Sequence, residues 1–477
     1  MFRSAFFLLS GNAASSLLTL ARNLIIARLI PVEDYGIAAT FAIAMTLVEM
    51  VSALGLEQQI VQAKRGEDPD FQAALQGFTA LRGFISFALL FASAGLMASF
   101  LNVPELAWAY QLMALAPLIR GFAHFDNHRQ KRKMQFGPTI RVQFGSTLIA
   151  VAAIWPAYVL FPDYRVMLIS LLIQAAAFTA ITHILAERPY RMKFSLEIWR
   201  GSVRFGWPLM INGVLLFAIL HGEKLVAGRV LGLTELGLLA MGLTLTMTPT
   251  LILARVMHDF FLPQLSAAQD DDATFQHLAE VTMQTVLAMA LVYLLGVVII
   301  GGPLVILLLD EKYITLTALM TWLGIQQTLR VLKSGGATIA LARGQTENAL
   351  FANFARVASL PFAAWIAMNG GGLIGVIYAA AVGEAAAFTV SLLMITLRLK
   401  VSMRRLAPPI LMSVLALGVA GTIAWRTLPE ASASLPDPIS ALILTVVILA
   451  ALVTMRRLHG YAMNGRRAVP PSGGTTL

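Results

Sequence analysis

The chain of 477 residues contains no cysteine. A disulfide framework and a thiolate metal centre are thereby excluded, and the sequence says nothing of redox compartment. Charge is scarce as well. Asp, Glu, Lys and Arg make up 13% of the residues, where a soluble domain carries roughly 25%. Apolar residues fill the place of the missing charge, at 58% with a mean hydropathy of +0.76. Long polar stretches are also lacking, since no connection between apolar runs exceeds roughly 20 residues and no soluble domain fits between them. There is no Gly-rich phosphate loop with Lys and Ser/Thr, no nucleophile elbow and no HExxH. The expectation is a protein that is not an enzyme and needs neither cofactor nor metal. The net charge of +10 would suit nucleic acid, but Lys and Arg gathered beside membrane spans explain it without that partner.

Apolar runs bounded by charge, Pro or Gly fall near 6–30, 36–60, 74–100, 106–124, 140–161, 166–186, 207–230, 237–262, 278–301, 317–340, 349–369, 371–397, 408–425 and 439–455. Each is near the length of about 20 residues that crosses the hydrocarbon core as a helix. The sequence therefore predicts an all-α polytopic membrane protein of about 14 transmembrane helices. The opening MFRSAFFLLS has the basic start of a signal peptide. Its apolar run continues past Arg22 to Ile30 without a small-x-small cleavage site, so it is assigned as the first span. An even number of spans puts both termini on one side. Placing that side in the cytoplasm leaves about 22 Lys and Arg in inner segments and about five outside. A multi-pass protein of the cell (inner) membrane with both termini cytoplasmic is the expectation.

One phrase occurs twice. RLIPVEDYG, Arg28 to Gly36, returns as GRVLGLTELG from Gly228 to Gly237, with Arg28 on Arg229, Leu24 on Leu225, Asp34 on Glu235 and Gly36 on Gly237. Each copy joins the first two helices of a six-helix set. Because six is even, the sets enter the membrane in the same direction, as parallel repeats related by an axis along the membrane normal. The predicted organisation is a six-helix lobe at 1–200, a second at 201–400, two further helices at 401–459, and a disordered cytoplasmic tail at 460–477.

Eight basic residues remain at membrane depth: Arg22, Arg82, Arg120, Lys224, Arg255, Arg330, Lys333 and Arg356. The acids there are chiefly Glu49, Glu223, Asp259 and Glu384. An ionised group at the bilayer centre costs at least about 2.5 kcal/mol, so these side chains turn toward partners or water, and the interior they describe is net positive. On the first span Asn12, Ser15, Ser16, Thr19, Arg22 and Asn23 share one stripe, and on the tenth Gln326, Gln327, Arg330, Lys333 and Ser334 do so. Polar seams between packed helices have the same pattern. Arg22, Arg330 and Lys333 have no acid at i+3 or i+4, which favours a wet cavity. Arg82 and Arg255 lie at intermediate depth. Arg120 and Arg356 are within snorkelling reach of the cytoplasmic interface. Adjacent positions on a helix do not face each other, so Glu223 is better placed to answer the other lobe than Lys224. Glu49 and Glu384 carry two readings, binding a coupling proton or cation, or answering a cavity arginine. The basic cluster His124 to Lys133 reads as a topology signal that attracts anionic head groups.

ARLIPVEDYG ending the first helix, an Arg within that helix, about fourteen spans and paired six-helix lobes together resemble the polysaccharide transporter, or oligosaccharide flippase, family of the multidrug/oligosaccharidyl-lipid/polysaccharide exporter superfamily. The resemblance implies two bundles around a central cavity that opens alternately to each side. It implies translocation of polyprenyl-diphosphate-linked oligosaccharide from the cytoplasmic to the outer leaflet, in exopolysaccharide or O-antigen-type synthesis. A cationic interior suits a diphosphate, which Arg grips bidentately and Lys as a point charge. The expected substrate contacts are Arg22, Asn23, Lys224, Arg330 and Lys333, with Arg82 and Arg255 beside them. Expected partners are the lipid-linked glycan, the bilayer and other polysaccharide-assembly membrane proteins. Rival expectations are a peptidoglycan lipid-precursor flippase, a multidrug or cation antiporter of the same superfamily, a polysaccharide polymerase or ligase, and a membrane scaffold. The antiporter would want intramembrane acids, and the enzyme a sizeable outer loop.

Overall fold

The computed structural model describes residues 2–52, 54–428 and 436–464. Among them the secondary structure is entirely helical. In chain order the first part holds α1 (Phe2–Leu29), α2 (Val32–Val51), α3 (Leu56–Gln62), α4 (Pro69–Phe100), α5 (Ala107–Met113), α6 (Leu115–Gly121) and α7 (Asp126–Arg132). Next come α8 (Gly137–Ala152), α9 (Ile154–Leu160), α10 (Arg165–Ile184), α11 (Leu196–Val226) and α12 (Leu233–Ala267). The remainder comprises α13 (Asp272–Leu309), α14 (Ile314–Ala342), α15 (Glu347–Val357), α16 (Ser359–Ile366), α17 (Gly372–Leu399), α18 (Met403–Thr427), α19 (Pro438–Thr454) and α20 (Arg456–Asn464). By length and composition, eight helical segments among the described residues are long and apolar enough to cross a membrane. The predicted tail at 460–477 begins inside α20, and the rest of it lies outside the described residues, as does the side chain of Asn12.

Helix starts follow local chemistry. Asp68 caps α4 by accepting from the Asp70 amide at 2.9 Å, with Pro69 at the first helical position, where its missing N–H is no loss. Asp271, in the acidic loop without Lys or Arg, accepts from the amides of Ala273 and Thr274 at the head of α13. Asp437 does the same for Ser440 in α19. α11 leaves through a π-helical turn, Ala227–Leu231, and the chain then reverses at Gly232 with φ +106°, a conformation that excludes most L side chains.

The chain divides into two compact units, Met1–Met241 and Gly242–Leu477. In the first, α1 lies along α8, α4 packs on α5 and α6, and α10 on α8. Helix α11 packs against α2 in the same unit. Two glycines permit this closeness, since a Cβ on Gly206 would strike the backbone of Leu54 and one on Gly213 the carbonyl of Met50. In the second unit α14 packs between α13 and α17, α15 and α16 pack on α17, and the α18–α19 pair lies against α13 and α14.

The two copies of the repeated phrase meet each other at the starts of α2 and α12. A Cβ on Gly36 would overlap the Leu233 carbonyl oxygen and stand 3.2 Å from the Gly237 nitrogen. One on Gly237 would overlap the Val32 carbonyl oxygen, 3.1 Å from the Gly36 nitrogen. Val32 corresponds to Leu233 and Gly36 to Gly237, so the contact is reciprocal, as a two-fold axis between repeats requires. Small residues at membrane crossings let backbones approach in this way.

The basic cluster at 124–133 departs from expectation. Arg129 is buried rather than turned to head groups, and its guanidinium meets Asp126 at 2.6 Å, Glu187 at 2.7 Å and Glu67 at 3.6 Å. Arg132 donates to the carbonyls of Val61 and Ala63 at 2.7 and 2.6 Å. These side chains knit three connections together, because acids and carbonyls from distant loops converge on α7. Burial works against the Asp126 carboxylate, but the Arg129 hydrogen bond and the Glu187 amide outweigh it and hold its carboxyl below the usual range.

Gly36→Ala and Gly237→Ala are each expected to destabilise the protein by about 1–3 kcal/mol, as overpacking does. Gly95→Ala, where a Cβ meets open space, should leave it unchanged or gain up to about 1 kcal/mol of helix propensity; thermal unfolding in detergent checks both. Arg129→Ala strands a buried carboxylate and should cost about 3–5 kcal/mol at neutral pH. The depressed Asp126 contributes stability above its unfolded pKa of about 3.9 that is lost as pH falls through the folded value. Without Arg129, burial raises that carboxyl relative to the parent, so the difference between Arg129→Ala and the parent should narrow as acidification protonates Asp126 first in the variant and then in the parent.

Candidate functional site

In the second unit, α14 carries Arg330 and Lys333 on one face, a turn apart. Glu384 of α17 is their acid. Arg330 Nε lies 2.7 Å from Glu384 Oε1 and Lys333 Nζ lies 3.8 Å from Glu384 Oε2. Arg356 of α15 joins them, with Nε 2.9 Å from Oε1 of the same carboxylate. Arg356 and Glu384 are fully buried, whereas Arg330 and Lys333 retain 13% and 15% of side-chain exposure. Neutral ligands complete the set: Lys333 donates to Asn353 Oδ1 at 3.2 Å and Arg356 to Ser359 Oγ at 2.9 Å. Three cations thus share one carboxylate. The surplus of positive charge is concentrated at the two groups that remain partly open.

This arrangement corrects two expectations. Arg330 and Lys333 do have an acid, supplied by another helix rather than by i+3 or i+4. Arg356 does not reach for the interface, because the buried Glu384 carboxylate draws it inward. Of the two readings of Glu384, the geometry displays the answering one. Gln327, from the predicted polar stripe, is fully buried with no hydrogen-bond partner for its amide among the described residues. Arg255 lies apart from this group, exposed on α12.

The first unit places its predicted residues in three settings. Arg22 on α1 is buried and donates through Nη1 to Gln174 Oε1 at 2.6 Å, and Gln174 donates in turn to Thr147 Oγ1 at 3.1 Å. No carboxylate pairs with Arg22 among the described residues, and its Nε has no hydrogen-bond partner. The neighbouring Asn23 is half-buried, its Oδ1 also without one. The second setting is a cavity of about 270 Å³ among α2, α3, α4, α6, α7 and α10. Glu49, Arg82 and Arg120 line it. Arg120 forms an ion pair with Glu49 rather than snorkelling, and its guanidinium lies 5.1 Å from the Phe178 ring centroid. Arg82 donates to the Ser52 carbonyl at 3.2 Å. His128, from the basic cluster, and Glu57, which sequence reasoning did not single out, face each other across the same cavity at 3.4 Å. Lys224 occupies the third setting, an apolar chamber beside α2 and α4, and Glu223 next to it is buried. Gln174 was missed too; a lone Gln in the apolar run LLIQAAAF was the available signal. No cluster of His, Asp and Glu suited to a metal occurs among the described residues.

Residues 25–318 match the family described as polysaccharide biosynthesis protein. The chain belongs to that family. Among curated relatives, a lipopolysaccharide biosynthesis protein, WzxC of Escherichia coli (strain K12), is 19% identical over 332 residues, covering 69% of this chain and 67% of the relative. An uncharacterized membrane protein in the cps region of Klebsiella pneumoniae is 18% identical over 336 residues, 70% of this chain and 69% of that one. Among solved structures, the lipid II flippase MurJ in an inward closed conformation superposes with a TM-score of 0.72 at 13% identity, covering 96% of this chain and 99% of that one. An inward-facing multidrug resistance MATE family transporter of the MOP superfamily gives 0.68 at 14% identity, over 81% and 94%. The fold of this family member is therefore that of the MurJ and MATE transporters.

Removing the shared acid tests the cluster. Glu384→Gln leaves three buried or half-buried cations unanswered and should cost about 3–5 kcal/mol, while adding Arg356→Met to it should restore part of the loss. Thermal unfolding of the two variants in detergent measures the difference.

Proposed function

We propose that the protein is a flippase that carries polyprenyl-diphosphate-linked oligosaccharide from the cytoplasmic to the outer leaflet of the cell membrane, with both termini in the cytoplasm. The observation that carries this reading is cationic surplus held inside an apolar protein: Arg22 with a neutral amide for a partner, and Arg330 and Lys333 sharing their acid with Arg356. Such groups are costly in hydrocarbon unless something anionic or wet meets them. A diphosphate is a fitting counterpart. Arg offers it two parallel hydrogen bonds and Lys a compact point charge.

Arg22 and Asn23 in the first unit and Arg330 and Lys333 in the second are the proposed phosphate and glycan contacts. The work is translocation rather than bond chemistry, in keeping with the names of the lipopolysaccharide biosynthesis relative and the lipid II flippase. Rocking of the helical repeats would carry the head group across, as in transporters built from parallel repeats. A cation antiporter fits less well, since Glu384 and Glu49 are both engaged by arginine.

Deletion of the gene should make one lipid-linked glycan accumulate on the cytoplasmic side, identified by mass spectrometry of the membrane lipids. Arg22→Ala, and separately Arg330→Ala with Lys333→Ala, should reproduce the accumulation at normal protein levels. Wild-type transport in both variants would show that these cations are not the phosphate contacts.

A further inference from the structure

The cavity of about 270 Å³ in the first unit carries both signs of charge. Glu49 and Glu57 are its acids, Arg82 and Arg120 its guanidinium groups, and apart from the histidines the charges cancel. None of these groups is used up by its partner. An ionised carboxylate accepts at about four positions, and a guanidinium carries about five N–H donors. Glu49 meets Arg120 and Glu57 meets His128, yet the two acid side chains keep 48% and 58% exposure. Arg82 is half-buried and donates to the Ser52 carbonyl at 3.2 Å.

Asn127 on α7 adds an unanswered group. It is 4% exposed, lines the cavity, and its Oδ1 has no hydrogen-bond partner among the described residues. Half a turn of its terminal torsion exchanges oxygen and nitrogen, so the side chain can present an acceptor or a donor. Apolar wall comes from Met45, Val48, Pro117 and the ring of Phe178.

A ligand for this lining has to give and accept hydrogen bonds without net charge, and to offer apolar surface as well. A phosphate would meet Glu49 and Glu57, an organic cation would meet Arg82 and Arg120, and a hydrocarbon would strand the polar groups. A sugar ring meets the requirement. Its hydroxyls donate to carboxylates and accept from guanidinium and amide, while its C–H faces rest on apolar wall. At about 30 Å³ for each water the cavity has space for about nine, the scale of one ring and not of an oligosaccharide. Its walls include the last turn of α2, the first half of α4 and the C-terminal ends of α6 and α10. In the proposed topology those ends lie on the cytoplasmic side.

We propose that this cavity is a recognition pocket for one uncharged sugar of the glycan head group, held through its hydroxyls by Glu57, Arg82 and Asn127 before translocation. The proposal rests on the flippase reading and adds to it the place where the glycan, as distinct from the diphosphate, is read. Specificity follows, because a site built to hydrogen-bond a hydroxyl rejects the analogue that lacks it.

The test uses the full chain in nanodiscs and two probes: the lipid-linked glycan that accumulates in the deletion strain, and polyprenyl diphosphate without sugar. Val48→Trp, which fills the cavity, and Asn127→Leu, which removes the unanswered amide at similar volume, should each weaken the glycan-bearing lipid by at least about tenfold. Both should bind polyprenyl diphosphate as the parent does, whereas Arg22→Ala should weaken both probes. Asn127→Leu should keep the parental thermal midpoint, since an orphaned amide adds no hydrogen bond to the fold. Equal weakening of the two probes by the cavity variants would overturn the proposal. If a lipid-linked glycan accumulates and both variants bind it normally, the pocket holds water alone and the flippase reading stands. If none accumulates, that reading falls and takes the sugar pocket with it.

Discussion

The architecture turns on what an ionised side chain can do where there is no water. An arginine in hydrocarbon must find a carboxylate, a neutral dipole or an external anion. This chain uses carboxylates and a neutral amide among its described residues. Glu49 answers Arg120 and Glu384 answers three cations at once, while Arg22 settles on the side-chain oxygen of Gln174. A protein selected for stability alone could replace such groups with apolar residues at little loss, since buried ion pairs seldom stabilise more than good packing. Their presence in the interior is what the flippase proposal accounts for, as groups that an anionic substrate would answer.

The helices that hold these groups are brought together by small residues. Gly83 on α4 and Gly121 on α6 approach so closely that a Cβ on Gly83 would lie 2.7 Å from the Gly121 Cα. Gly206 and Gly213 do the same for α11 on α2. Without a hydrophobic drive between helices in lipid, contact area and backbone proximity carry the association. The result explains why α11 belongs by contact to the same compact unit as α2.

Much of this was readable in the sequence. Helix identity followed from apolar length, and Arg22 and the Arg330–Lys333 face from their spacing at helical intervals on otherwise greasy spans. The partners were not readable. Glu384 lies 54 positions beyond Arg330, and rules based on i+3 or i+4 see only one helix. The same blindness made Arg120 and Arg356 look like snorkelling residues and Arg129 like a head-group contact, because distance from a predicted span end measures depth but not what lies beside a side chain at that depth. Lys224 was read as one of a set with Arg330; its apolar chamber depends on which faces of four helices meet, and no linear pattern encodes that.

The joint between Gly36 and Gly237 is made of main chain on both sides, each glycine resting on the carbonyl that precedes the other by four residues. Side chains can absorb a small slip by changing rotamer, but a peptide carbonyl against a glycine has nothing to turn. Sliding either helix by one position would bring Tyr35 or Leu236 to a place where only a hydrogen fits. The seam therefore holds one registration and no near neighbours of it, like a keyed coupling that is either seated or apart.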